Sequence, residues 1–174
     1  APARKSIASN FYRLGNVKYY VISATSKDRA SEFLLSDEYK LVFSQDNFYV
    51  FEDILSFPRV SFVTQYLVRE GSRPVDSMLE REDDLEFFRN HVLLDQPPHV
   101  SIKQSSAGET SIALNKYSSG VYDISLSTTK DGVLIIADRF DRNWHFTVDG
   151  ISVKHISANQ FFVGIPILSG DHEI

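Results

Sequence analysis

The Asp149-Gly150 dipeptide constrains this chain more than any other pair of residues. Alternating apolar side chains flank it, Trp144, Phe146 and Val148 on one side and Ile151 and Val153 on the other. Asp-Gly suits a two-residue type I′ turn, in which both central residues need positive φ and the twist matches that of the joined strands. The register that follows pairs Val148 with Ile151, Phe146 with Val153 and Trp144 with His155. All five apolar residues are then expected on one inward face. A slip of one residue would turn them to solvent, so the register is strongly specified.

Everything after Gln96-Pro97-Pro98-His99 reads as β structure. Strands are expected over residues 100–104, 110–116, 121–128, 133–137, 144–148, 151–156 and 161–167, separated by turn residues such as Gly120 and Lys130-Asp131-Gly132. Such spacing suggests an antiparallel β-sandwich of jelly-roll type. The earlier part of the chain is mixed. Ile7, Phe11 and Leu14 share a helical face, and Gly15 stands where a helix end favours positive φ. A strand over 17–22, a helical turn over 30–35 and a hairpin of 41–43 with 48–51 follow. Past Pro58 a strand covers 60–68. A helix is expected from Ser77, which has capping-box spacing to Glu80, to about residue 90, and a short strand 92–94 follows it. The expected fold class is α+β, with a small N-terminal α/β portion (1–96) followed by an antiparallel β-sandwich (97–174).

Composition narrows the function classes. The chain of 174 residues carries a formal charge of -5. No basic patch interrupts it, which argues against a nucleic-acid partner. Cysteine is absent, so disulfides, thiolate metal sites and thiol catalysis are excluded. No apolar run approaches the roughly 20 residues that span a bilayer. Met78 is the sole methionine, and Asp171-His172-Glu173-Ile174 reads as the opening of a strand. The chain is therefore expected to be a piece of a longer protein.

Chemistry-bearing patterns are sparse. None of His91, His99, His145, His155 and His172 has the close spacing of a zinc site. Strand alternation would put His145 and His155 on opposite faces. The acidic cluster from Glu80 to Glu86 suits the positive end of a helix better than a pair of catalytic carboxylates. No nucleophile elbow or phosphate-cradling glycine loop occurs. No catalytic residue, metal ligand or cofactor is assigned, and a hydrolase is the least favoured reading. Two residues stand out as candidates for ligand contact. Trp144 could stack on a sugar ring, although the hairpin register favours an inward role. Arg59 could hold an anion, although a guanidinium bonded to a neighbouring strand is the simpler expectation.

Several segments together resemble the C-terminal part of the YfhO-type bacterial membrane proteins. Residues 137–150 end in Trp144 and then Val148-Asp149-Gly150. Residues 156–172 carry Ala158-Asn159, Pro166 and the Gly170-Asp171-His172 ending. Upstream, Leu14-Gly15 with Lys18-Tyr19, and Phe51-Glu52-Asp53 with Pro58-Arg59, match further pieces in the same order. Asn143 replaces the glycine usual before the tryptophan, and Asp53 replaces an asparagine. The resemblance implies a soluble domain on the extracytoplasmic face of a multi-pass glycosyltransferase-like (GT-C) protein. It implies catalysis elsewhere in the parent chain. The partners implied are the remainder of that membrane protein and a cell-envelope glycan or lipid-linked sugar. A stand-alone carbohydrate-binding module is the alternative.

Overall fold

A computed structural model describes residues 10–23, 25–69, 83–106, 108–118 and 120–174, with the side chains of Asp83 and Asp84 left aside. The architecture is mostly β with few helices, arranged in several sheets. The chain divides into two compact units, residues 1–58 and 59–174. Gln96-Pro97-Pro98-His99 therefore lies inside the second unit. The reason is topological, because the strands between residues 60 and 94 enter the same sheet as strands beyond residue 130. Among the described residues no helix is long and apolar enough to cross a membrane.

In the first unit, α1 (Asn10–Leu14), β1 (Tyr19–Ser23), α2 (Lys27–Leu34), β2 (Tyr39–Gln45) and β3 (Phe48–Asp53) build an antiparallel sheet of order β1-β3-β2. Helix α2 presents Ala30 and Phe33, three residues apart on one face, to Ile22, Tyr39 and Phe51. The Phe33 ring lies 4.5 Å from Tyr39 and 5.1 Å from Phe51. Helix α1 closes with Val17 N–H donating to Tyr12 O and Asn16 N–H to Arg13 O, a Schellman ending. The residue with positive φ is Asn16 (62°), one position beyond the expected Gly15. Its amide group donates to Phe57 O at 2.7 Å, so the asparagine side chain anchors the conformation its backbone adopts.

Arg13 lies buried in this unit. Its Nε donates to Asp53 Oδ2 at 2.8 Å, and its Nη2 donates to Glu38 at 2.7 Å and to Tyr39 Oη at 3.2 Å. Burial alone would lower the guanidinium pKa, but the hydrogen bonds to Asp53 and Glu38 outweigh it and the net shift is upward. Asp53 also accepts from Leu55 N–H at 2.9 Å.

The second unit contains β4 (Val60–Val63), β5 (Gln65–Val68), α3 (Asp83–Asn90), β6 (His91–Leu94), β7 (Thr110–Ser118), β8 (Val121–Thr128), β9 (Gly132–Arg139), β10 (Phe146–Val148), β11 (Ile151–Val153), β12 (Ile156–Ala158), β13 (Phe162–Ile167) and β14 (Gly170–Glu173). The expected helix start at Ser77 lies outside the described residues; α3 ends at Asn90. The expected strand over 60–68 is two strands. They occupy opposite edges of a six-stranded sheet, β4-β9-β13-β12-β6-β5, although Thr64 alone separates them. Edges joined by one residue must lie close together, so the sheet curls into a half-barrel. Its central strands β9 and β13 are buried almost throughout, hence their continuous apolar runs. Pro166 is tolerated in β13 because β12 pairs only with Phe162–Gly164, so its missing N–H removes no bond on that side.

Strands β14-β8-β7 form a separate antiparallel sheet, and β10 and β11 form the expected hairpin. One apolar cluster draws Val60, Leu134, Ile136, Val163 and Ile165 from the curled sheet, Ile124 and Leu126 from β8, and Phe146 from the hairpin. Residues 100–104 form no strand. Side chains tie down this segment instead: Asp131 accepts from Lys103 N–H at 3.0 Å, and Gln104 Oε1 accepts from Tyr66 N–H at 2.9 Å.

Candidate functional site

The hairpin has the expected register, with Val148 opposite Ile151 and Phe146 opposite Val153. Asp149 and Gly150 have φ of 53° and 76°, as a type I′ turn demands. Two expectations fail. Ile151 is 70 % exposed, since it sits at the tip beyond the reach of the core. Strand β10 begins at Phe146, so Trp144 and His145 belong to the loop before it.

That loop is built by local hydrogen bonds. Asp141 Oδ1 accepts from Asn143 N–H at 2.8 Å, an Asx turn, and Asp141 O accepts from Trp144 N–H at 3.3 Å. The turn delivers Trp144 to a half-buried position. Its Nε1 donates to Arg139 O at 3.2 Å, and its ring stacks on Phe146 at 5.7 Å and meets Tyr122 edge-on at 6.0 Å. The tryptophan thus joins the periphery of the core while part of it faces outward.

Arg59 also lies beside Tyr122. Its Nη1 donates to Ala137 O at 3.2 Å, and its guanidinium stands 5.0 Å from the centre of the Tyr117 ring. Tyr117 and Tyr122 are direct cross-strand partners with ring centres 5.1 Å apart. The Tyr122 hydroxyl donates to Asp138 Oδ2 at 2.8 Å. Burial, followed by that bond to a carboxylate, pushes the Tyr122 phenol upward, so at neutral pH it remains a donor. The structure therefore makes the two sequence candidates, Arg59 and Trp144, neighbours of one tyrosine, Tyr122.

Trp144 also lines a cleft of about 700 Å³. One wall comes from the loop after β9, with Phe140, Arg142 and His145. A second comes from the β11–β12 connection, with Lys154 and His155, and from Ser157 of β12. Asp95, Pro97 and His99 close the third side. His155 Nε2 lies 2.8 Å from Asp141 O. A carbonyl oxygen only accepts, so this nitrogen carries the proton and Nδ1 of the neutral ring keeps its lone pair. Phe140 and Phe146 stand 5.2 and 5.4 Å from the imidazole and hold it in place. Asp95 is engaged by Arg69 at 3.1 Å. His145 and His155 line the same cleft, because alternation does not extend through residues outside the paired strands. Among the described residues, no three His, Cys, Asp or Glu side chains converge as a metal site.

Neither Arg142 nor Lys154 stands out in the sequence as a site residue. A signal existed, since extending the hairpin register pairs His145 with Lys154 next to Trp144 and His155. The acidic cluster around Glu80 lies largely outside the described residues; Glu86 accepts from Asn90 on an exposed surface. Other residues of the resemblance serve as ties. Asp149 Oδ2 meets His172 Nδ1 at 2.7 Å, and Asp149 Oδ1 accepts from Glu173 N–H at 2.9 Å. The bonds from Glu173 N–H and His172 hold the Asp149 carboxyl below the usual range. Asn159, at φ 48°, accepts from Leu93 N–H at 2.9 Å and joins the β12–β13 turn to β6. No family model, curated protein or solved structure matches this chain significantly.

Proposed function

We propose that this chain is a non-catalytic accessory domain on the extracytoplasmic face of a multi-pass, glycosyltransferase-like membrane protein of YfhO type, where it shapes an acceptor site or docks a partner. The observation that carries the reading is the contact between Asp149 and His172. These residues stand in two separate pieces of the sequence resemblance, and in the fold they form one interaction. Asn159 and Asp53 likewise hold backbone and buried charge. Such roles suit a scaffold whose chemistry is performed elsewhere. Within this reading the β layers sharing one core form a jelly-roll-like sandwich.

The test is the parent protein. Its reading frame should encode several apolar runs of roughly 20 residues, and deletion of this domain should leave membrane insertion intact while glycan transfer is lost or misdirected. A frame coding for little beyond these residues, or transfer unaffected by the deletion, would refute the proposal.

One observation favours a second reading, a carbohydrate-binding module. Trp144 is held rigid by Phe146, Tyr122 and the Arg139 carbonyl, and it still lines an open cleft. An immobilised aromatic face binds at low entropic cost.

A further inference from the structure

We infer that the cleft beside Trp144 binds an anionic sugar, a pyranose ring bearing a phosphate or a carboxylate. The assignment deepens the carbohydrate-binding reading and rests on it. The chain as a whole carries -5, yet the cleft is lined by Arg142 and Lys154, with three histidines beside them. Among the described residues its one lining carboxylate, Asp95, is already paired with Arg69. The local sign is therefore opposite to that of the molecule, and the charges lie where a ligand would meet them.

Shape and surface chemistry narrow the class. A volume of about 700 Å³ falls within the roughly 300–1,000 Å³ of small-molecule sites. Phe140 and Trp144 offer apolar ring surface for the C–H face of a pyranose. Arg142 and Lys154 suit the anion, the guanidinium by bidentate contact and the ammonium as a point charge. His155 is fixed by the Asp141 carbonyl, so its Nδ1 can accept from a sugar hydroxyl. An inorganic anion would leave the aromatic wall unused, and a neutral sugar would leave the cations unused.

The experiment is calorimetric titration of the intact 174-residue chain with glucose 6-phosphate, glucuronate, glucose and inorganic phosphate. At least one anionic sugar should bind about ten-fold or more tighter than both glucose and phosphate, a gap of about 1.4 kcal/mol. The phosphate and carboxylate arms identify which anion the cleft takes. Arg142→Ala combined with Lys154→Ala alters exposed side chains, so the protein should fold normally and lose that gain. Trp144→Phe should weaken the sugar and leave phosphate binding unchanged. Glucose binding as tightly as its charged relatives would overturn the anionic assignment and leave the carbohydrate reading standing. Phosphate binding as tightly as the sugar phosphate would overturn the role of the ring. Absence of binding by every sugar would overturn both.

Discussion

Trp144→Ala is the most informative single change. The ring contacts Phe146 and Tyr122 on its inner side and lines the cleft on its outer side. Taking two thirds of the roughly 150–200 Å² that an aromatic side chain buries, at about 25 cal/mol per Å², gives about 3 kcal/mol. Water from the cleft can enter the space left, so no sealed cavity forms and the top of the roughly 3–5 kcal/mol range for truncating a buried aromatic is not reached. The lost Nε1 bond adds at most about 1 kcal/mol, since Arg139 is exposed and its carbonyl can turn to solvent. The expected loss is about 2–4 kcal/mol, a large share of the roughly 5–15 kcal/mol that keeps a domain folded. Trp144 is the sole tryptophan, so the variant has no indole fluorescence and urea unfolding must be followed by far-ultraviolet circular dichroism. A loss below about 1 kcal/mol would refute the packing derived for the ring.

Other expectations follow from specific contacts. Asp53→Ala removes the fully buried carboxylate partner of the Arg13 guanidinium and should cost about 3–5 kcal/mol in urea unfolding. Gly150→Val should cost about 1–2 kcal/mol or more, because φ is 76° while no neighbour lies within 4 Å of an added Cβ; Gly150→Asn should be much milder, and an equal loss in both would point to crowding instead. Gly132→Ala would drive a Cβ into the backbone oxygen of Val63 and the ring of Phe62, so it should destabilise by about 1–3 kcal/mol although its φ is ordinary. Asp131 and Asp149 both have lowered folded pKa values, chiefly from accepting backbone N–H bonds. Their contribution is therefore present above the unfolded carboxyl value of about 3.9 and lost as pH falls through the lower folded values. Thermal melts from about pH 5 to pH 2 should fall more steeply for the native chain than for an Asp131→Asn, Asp149→Asn double variant; parallel curves would contradict the assignment.

Local features were legible wherever the physical cause was local. The turn at Asp149-Gly150 needs two residues that tolerate positive φ, and the alternation beside it leaves one sensible pairing. Strand β8 has its expected limits because polar turns bracket an alternating segment. The end of α3 at Asn90 was legible too. Residues 100–104 show the limit. Their apolar positions fit a strand, but among the described residues no backbone ladder forms along them, and side-chain hydrogen bonds, one of them to Tyr66 of the edge strand β5, hold them instead. Ile151 shows it again, since alternation assigns a face without saying how far the core beneath it extends.

For the candidate site, the sequence alone determined the residue types and the local turn: one tryptophan, a hairpin whose register pairs Phe146 with Val153, and Arg59 after Pro58. Tertiary structure decided what those residues meet. Thr64 joins strands on opposite edges of one sheet, and the resulting curl places residues 60–94 in the same unit as residues beyond 130. A single chain carries no local mark of such a closure, because the partners are far apart in sequence and pair only once the sheet bends. The cleft arises in the same way. Its walls come from residues near 97, 142 and 154, three stretches with no common motif, and the folded backbone brings them together around Trp144.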